Sequence, residues 1–270
     1  MEPTSNPLRI WWCGTGPLAF LPIHAAGLYD LGSMVDSKPK PIIQLSDIVV
    51  SSYTPSVTAL LKLHKEQPSR EFKFLAVAQP STPGQPRLDN TTLEVAEIRK
   101  HIGSHSMMEL EGADATVERV IEGLSNCGWV HLACHGSQNR SNPTKSALML
   151  QDGRLEIGKI TRSVLPGTAE FAFLSACQTA SGDDTLPEEA VHLAAGMLFV
   201  GYRSVIATMW SIRDKDAPVV ADEVYRHLLS VEQPDSTQAA RALHHAVARL
   251  RRESPEISFL SWVPFIHIGC

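Results

Sequence analysis

The chain has 270 residues, of which 43% are hydrophobic and 20% are charged, the composition of an ordinary water-soluble globular protein. A formal net charge of −5 gives no basic surface of the kind that binds nucleic acid, and no apolar run reaches the roughly 20 residues of a membrane span. We therefore expect neither nucleic acid nor a membrane among the partners.

An α/β sheet covered on both faces can reach this length as one unit, so we expect a single domain over residues 1–270. The first residues, 1–6, lack the charged and apolar regions of a signal peptide. Five cysteines, an odd number without the spacing of a disulfide framework, favour a reducing compartment. These features predict a cytoplasmic protein.

Strands and helices alternate through the first half of the chain. Apolar runs predict strands at residues 9–13, 47–53, 72–78 and 107–110. Amphipathic stretches between and after them predict helices that begin near Thr54, Thr91 and Asp114. This order predicts an α/β fold with a mainly parallel central sheet of about six strands and helices on both faces. Leu18–Ile23 is predicted to return as the hairpin partner of the first strand.

The helix near residue 91 has a recognisable opening. Thr91-Thr92-Leu93-Glu94 has the spacing of a capping box, in which a threonine and a glutamate satisfy the first backbone N–H groups reciprocally. Starting the helix there predicts Leu93, Ala96 and Ile98 on its inward face.

The second half of the chain continues the pattern after a polar loop at residues 137–146. The Asp152-Gly153 pair predicts a β-hairpin, since this dipeptide favours the tight turns of hairpins. The remaining predicted elements are a helix from Pro187 to Leu198, a strand at 204–210, helices at about 216–230 and 236–252, and a last strand at 262–268.

Two apolar runs carry the chemistry that the sequence suggests. They span Trp129–Gly136 and Phe171–Gln178, and both have the unbroken apolar pattern of strands buried on two faces. One reaches His135 at its end and the other reaches Cys177. Because neighbouring strands lie about 5 Å apart, pairing of these strands would bring an imidazole and a thiol together. A histidine beside a cysteine is the arrangement of a cysteine nucleophile.

The backbone around these residues suits acyl transfer. Ligands of open α/β sheets bind outside the carboxyl ends of the strands, where His135 and Cys177 both fall. Gly136 has no side chain to shield its N–H, so its N–H and that of Cys177 are candidates for an oxyanion hole. The alternative is structural, because an apolar strand that ends in His-Gly is common and free cysteines are often simply buried.

With the histidine before the cysteine, the two runs resemble the caspase–separase superfamily of cysteine peptidases, also called clan CD. The finer resemblance is to its CHAT domains, which usually follow tetratricopeptide repeats. It extends over almost the whole chain, and the matching stretches are Gly16–Pro22, Val130–Gly136, Leu174–Ala180, Ala194–Gly201, Ser204–Trp210 and Trp262–Gly269.

The resemblance implies a caspase-like three-layer αβα sandwich and a cysteine endopeptidase. It makes Cys177 the nucleophile, His135 the general base and later the acid, and the N–H groups of Gly136 and Cys177 the oxyanion hole. Peptide-bond hydrolysis would then pass through a thioester acyl-enzyme. Cysteine and histidine lack the close pairs of a zinc site, so we expect no metal and no other cofactor.

The preferred substrate residue stays open at this stage. Metacaspases carry an aspartate two positions before the cysteine, and Ser175 stands there. Asp183, Asp184 and Asp214 could line a pocket for a basic side chain, or they are solvated loop acids. Trp210 could floor the substrate groove, or it packs in the core.

Two functional classes therefore remain. The first is an active peptidase that cleaves a protein or peptide substrate and is regulated by a sensor, either a tetratricopeptide-repeat region or another partner. The second is a catalytically silent or latent CHAT module that acts by interaction alone, because a fold does not establish chemistry. The residues His135, Gly136 and Cys177 favour the first class.

Overall fold

A computed structural model describes residues 7–29, 41–63, 71–137, 139, 142–164, 167, 169–175, 190–253 and 258–270. The strands are β1 (Leu8–Trp12), β2 (Gly27–Tyr29), β3 (Pro41–Gln44), β4 (Val49–Tyr53), β5 (Lys73–Ala78), β6 (Ser106–Glu111), β7 (Trp129–Ala133), β8 (His135–Ser137), β9 (Ala147–Met149), β10 (Arg154–Glu156), β11 (Phe171–Leu174), β12 (Ser204–Thr208) and β13 (Phe265–Gly269). The helices are α1 (Val57–Leu63), α2 (Thr91–Ile102), α3 (Val117–Asn126), α4 (Ile157–Ser163), α5 (Ala190–Val200), α6 (Ala217–Leu228), α7 (Ala239–Glu253) and α8 (Phe259–Trp262).

A central sheet organises the fold, and its strand order is β1-β4-β13-β12-β11-β7-β5-β6. All neighbouring pairs in this order are parallel except β12 and β13. The predicted mainly parallel sheet is therefore confirmed. It has eight strands rather than about six, and all eight overlap strands that the sequence predicts, including the half-buried edge strands β1 and β6.

Helices cover the sheet on both faces, which makes a three-layer αβα sandwich. One core lies between the sheet and α3, α4 and α5, and the other lies between the sheet and α2, α6 and α7. Each interior strand feeds both cores by alternation: Leu75 and Val77 of β5 face the first, and Phe74 and Ala76 face the second. Strands buried on two faces need a continuous apolar sequence, and for this reason the sequence predicts them.

The pairing of the two chemistry-bearing strands is also confirmed. β7 and β11 are parallel neighbours, with Trp129 opposite Phe171 and Leu132 opposite Leu174. The run at 129–136 does not remain one strand, however. β7 ends at Ala133, and His135 begins β8, which belongs to a separate three-stranded sheet in the order β10-β9-β8. The predicted hairpin around Asp152-Gly153 forms the other two strands of that sheet.

Two local predictions are wrong. Leu18–Ile23 is not a hairpin strand: the chain forms 3₁₀ turns at Gly16–Phe20 and Ile23–Ala25, and β1 pairs with β4 instead. Pro17 lies in the first turn of this short helix, where its fixed φ is favourable and its missing N–H costs nothing.

Among the helices of the described ranges, none is long and apolar enough to cross a membrane.

The opening of α2 also differs from the capping-box prediction. Asn90 occupies the N-cap position and makes no side-chain cap, and Leu93 is exposed. The inward face consists of Thr91, Glu94, Val95, Ile98 and Ile102, a spacing of three, one, three and four residues that keeps one helical stripe. Thr91 and Glu94 therefore belong to the buried face of α2, although their spacing is that of a capping box.

Candidate active site

His135 lies just beyond the carboxyl end of β7 and is completely buried. Its Nε2 is 2.7 Å from the carbonyl oxygen of Pro86, in the loop between β5 and α2. A carbonyl oxygen can only accept, so Nε2 carries a proton and donates it. In the neutral ring the lone pair is then on Nδ1, which is buried and has no hydrogen-bond partner within the described part of the chain. The ring is held by one nitrogen and leaves the other free to act as a base.

The predicted nucleophile, Cys177, lies outside the described residues, as do Asp183 and Asp184. The structure does describe the strand that leads to it, which is β11 followed by Ser175. Ser175 is buried, and its hydroxyl donates to Glu94 Oε2 at 3.0 Å.

Of the four cysteines that the structure describes, Cys13 is exposed, and the buried Cys127, Cys134 and Cys270 do not suit the role of nucleophile. Cys134 adjoins His135 in the chain, but its side chain lies in the core on the side of α3, α4 and α5. Burial there raises the pKa of its thiol to about 12. Burial also raises the thiol pKa of Cys127 and of Cys270. A raised pKa keeps these groups as thiols, which are poor nucleophiles.

The hairpin of β9 and β10 sets the direction of the Gly136 backbone. In the turn between these strands Leu150 N–H donates to Gly153 O, and backbone groups of consecutive residues alternate between neighbours. Leu148 therefore also directs its N–H and C=O toward β10. Its partner on the other ladder is Gly136, so this pair is the non-hydrogen-bonded kind. The N–H of Gly136 points away from β9, as an oxyanion donor requires.

Unpaired buried polar atoms concentrate at this edge of the sheet. Within the described ranges, those that follow strands β5, β7 and β12 are Gln79 Oε1, Thr82 Oγ1, His135 Nδ1, Trp210 Nε1 and Asp216 Oδ2. Native proteins pair nearly all such groups, and exceptions are expected where a site awaits a ligand. Their grouping at the carboxyl ends of parallel strands marks the same edge as the histidine.

Trp210 and Asp214 both lie in the segment that follows β12. Trp210 is half buried and packs against the apolar residues of both cores, while its indole N–H has no partner in the described part of the chain. Asp214 is already engaged, because its Oδ2 accepts from the backbone N–H of Asn90 at 2.9 Å and from the Asn90 side chain at 2.8 Å. Asp214 therefore ties the loop before α6 to the start of α2.

A buried polar chain beneath the site was missed by sequence reasoning. Glu94 is 2% exposed, and its Oε1 is 3.1 Å from Nε2 of the fully buried His131. The two atoms are close but do not meet hydrogen-bond geometry, so we describe this contact as electrostatic and not as a hydrogen bond. His131 Nδ1 is 3.1 Å from the hydroxyl of Tyr225, whose pKa is raised well above its usual value by burial and by the charge of Glu94. The sequence feature that could have indicated this chain is the position of Glu94 on the buried face of α2.

Solved structures with this fold include cysteine proteinases. The Arg-specific cysteine proteinase gingipain R matches with a TM-score of 0.53 and 12% identity, over 81% of this chain and 53% of that one. A complex of the pro- and mature domains of Porphyromonas gingivalis RgpB gives the same score and identity. The Saccharomyces cerevisiae separase–securin complex matches with a TM-score of 0.54 and 19% identity, over 83% of this chain and 14% of that one.

These identities show a shared fold and no more. The chain spans about half the length of the gingipain chain and a much smaller share of the separase chain. Comparison with curated proteins gave no match. The family model of the CHAT domain, by contrast, matches residues 1–270. The chain therefore belongs to the CHAT domain family.

Proposed function

We propose that the chain is a cysteine endopeptidase in which Cys177 is the nucleophile and His135 the general base. The observation that carries this proposal is the hydrogen bonding of His135. Its Nε2–H donates to Pro86 O, and its Nδ1 is buried with no hydrogen-bond partner in the described part of the chain. The register of β7 and β11 supports it, since His135 and Cys177 each follow by three positions a residue of the pair Leu132–Leu174.

The proposed reaction begins when His135 Nδ1 takes the thiol proton and Cys177 Sγ bonds to the carbonyl carbon of the scissile peptide. The oxygen becomes negative and accepts from the N–H groups of Gly136 and Cys177. When the C–N bond breaks, His135 returns the proton to the leaving amine, and a thioester remains. Water then attacks the thioester with His135 again as base, which releases the acid and restores the thiol.

For the substrate, we propose a protein or peptide whose chain lies against Trp210. The indole N–H of Trp210 has no hydrogen-bond partner among the described residues, and the ring contacts both cores. These two features support a groove at this position. We do not assign the residue that precedes the cut, because Asp214 is occupied by Asn90. Control by a tetratricopeptide-repeat or other sensor region and a cytoplasmic location belong to this proposal and not to the observations.

A peptide library cleaved by wild-type protein and by Cys177→Ala tests the proposal. The variant removes one sulfur atom, so it should keep its melting temperature and lose all cleavage. Cleavage that persists in the variant would show that another residue is the nucleophile. If the wild type is inactive, the library should be repeated with the adjoining sensor chain, since catalytic loops often order only with a partner. Continued inactivity, together with slow alkylation of Cys177, would favour the silent module.

A further inference from the structure

One short segment contacts every described wall of the candidate site. The segment Pro86–Glu94 comprises the last part of the loop after β5 and the first turn of α2. Its first residue accepts a hydrogen bond from His135, at the end of β7. Its last residue accepts from Ser175, at the end of β11. Asn90 in its middle donates to Asp214, in the loop after β12. The ends of three parallel strands are thus held by nine consecutive residues.

Glu94 is the buried ionisable residue of this segment and faces inward, whereas Arg87 and Asp89 pair with each other on the surface. Its Oε2 accepts from Ser175 Oγ at 3.0 Å, and its Oε1 lies 3.1 Å from His131 Nε2 without hydrogen-bond geometry. The Tyr225 hydroxyl, which its raised pKa keeps protonated, can donate to His131 Nδ1. The proton of the neutral ring is then on Nε2, the nitrogen that lies beside Glu94. The contacts form an ordered chain from α6 through β7 and α2 to the end of β11.

Other acids on α2 and α6 are placed differently. Glu97 pairs with Lys100 on the surface, and Glu223 pairs with Arg226 and with Arg249. Glu94 has neither arginine nor lysine among its described contacts. Burying a carboxylate is costly, and an apolar side chain of similar size would stabilise a core equally well or better. Retention of a buried charge is best attested where it specifies one arrangement of its neighbours. Here those neighbours are two adjacent strand ends.

We propose that Glu94 is a positioning residue for the reaction described above. Through Ser175 it fixes the end of β11, from which the chain continues to Cys177 two residues later. Pro86, eight residues earlier in the same segment, fixes the imidazole of His135. The first turn of α2 therefore sets the base and the nucleophile strand relative to each other. This inference rests on the proposed peptidase function.

The test uses the full chain with Glu94→Gln, Ser175→Ala and the double variant. Glu97→Gln is the matched control, because it is the same substitution on the same helix at a surface position. Three quantities are measured: the melting temperature, kcat and KM for a peptide found in the library, and the rate at which iodoacetamide alkylates Cys177 between pH 5 and 9. Cys177→Ala supplies the background of the other thiols.

We expect each single variant to lower kcat and the Cys177 alkylation rate by about 10- to 100-fold, since small displacements of reacting groups have effects of this size. KM should change little, because substrate contacts are kept. The double variant should be no slower than the slower single variant, since both act through one contact. Glu97→Gln should match the wild type. If Glu94→Gln does not fold, Ser175→Ala alone gives the same kcat and alkylation tests.

Three outcomes would overturn the proposal. The first is a loss of rate that only follows the loss of folded protein, which would make Glu94 structural. The second is additive losses in the double variant. The third is a changed preference for the residue before the cut with unchanged alkylation, which would make Glu94 part of a specificity pocket. Failure of the peptidase function looks different, because Cys177 would then be slow to alkylate in the wild type itself.

Discussion

Two buried histidines, one in the interior of the sheet and one beyond its carboxyl edge, show what distinguishes a site from a core. His267 on β13 is 1% exposed, and both ring nitrogens have partners: Nε2 is 2.7 Å from Ser204 Oγ, and Nδ1 is 3.0 Å from Ser52 Oγ. His135 is equally buried, but within the described ranges only its Nε2 has a hydrogen-bond partner, Pro86 O. Burial alone therefore does not mark a catalytic histidine.

The positions of the two rings explain the difference. His267 is the middle residue of β13 and lies opposite Ile206, the middle residue of β12, and Arg9 also reaches Ser52 Oγ at 2.8 Å. This cluster has the Ser–His distance of a catalytic pair but is enclosed in the interior of the sheet. His135 lies beyond the carboxyl end of β7, among the unpaired polar atoms described above. A base requires an unpaired ring nitrogen at the ligand-binding edge, whereas a hydrogen-bonded network in the interior holds strands together.

The largest effect expected from this comparison is on activity. His135→Ala should lower kcat/KM per folded molecule by about 10²- to 10⁴-fold, because it removes the proposed base, and should also lower the melting temperature, because loss of the buried ring leaves a cavity. Initial rates and thermal melts measure the two effects. Wild-type activity in this variant would remove the distinction between the two histidines.

His267→Ala should lower stability without this loss of activity. It leaves a cavity and deprives the buried Ser204 hydroxyl of its partner, so we expect the free energy of unfolding to fall by about 2–4 kcal/mol. Urea denaturation measures this change. Alkylation of Cys177 per folded molecule should stay at the wild-type rate, and a loss of that reactivity would show that the interior of the sheet and its carboxyl edge are coupled.

Acid should act through buried histidines whose ring nitrogens already have partners. His24 is a second example beside His267, with Nδ1 2.7 Å from the Tyr53 hydroxyl and Nε2 2.8 Å from Val263 O. Burial lowers the pKa of His24 to about 4, and burial and the nearby Arg9 lower the pKa of His267 well below its usual value. In the unfolded chain both titrate near pH 6.5, so below that pH the unfolded state binds more protons. Stability should therefore fall as pH decreases from about 6.5 towards 4. Urea midpoints across this range test it, with a shallower fall expected for His24→Gln; a rise on acidification contradicts it.

The smallest effect is expected at Asp214. Asp214→Asn keeps an acceptor for Asn90 and loses only the charge, so the free energy of unfolding should fall by no more than about 1 kcal/mol. Cleavage of the peptide library should keep its preference, because the carboxylate is engaged in holding α2. A specific loss of basic residues before the cut would instead place Asp214 in the substrate pocket.

The sequence by itself determined the layers and the order of the elements. β5, β7 and β11 are apolar enough to be buried on both faces, and Val120 and Leu124 of α3 are buried one helical turn apart. Such patterns depend on neighbours a few residues apart, which the chain itself supplies. His135 could be chosen in advance for the same reason, since it follows one of these runs directly.

Only the tertiary structure decided which polar atoms are paired. Pro86 and His135 are 49 residues apart, Glu94 and Ser175 are 81 apart, and Ser204 and His267 are 63 apart. The outward direction of the Gly136 N–H depends likewise on a hairpin that begins eleven residues later, at Ala147. Local periodicity gives the buried face of an element, but a buried polar group must find its partner wherever the folded chain brings one, and no local pattern specifies that meeting.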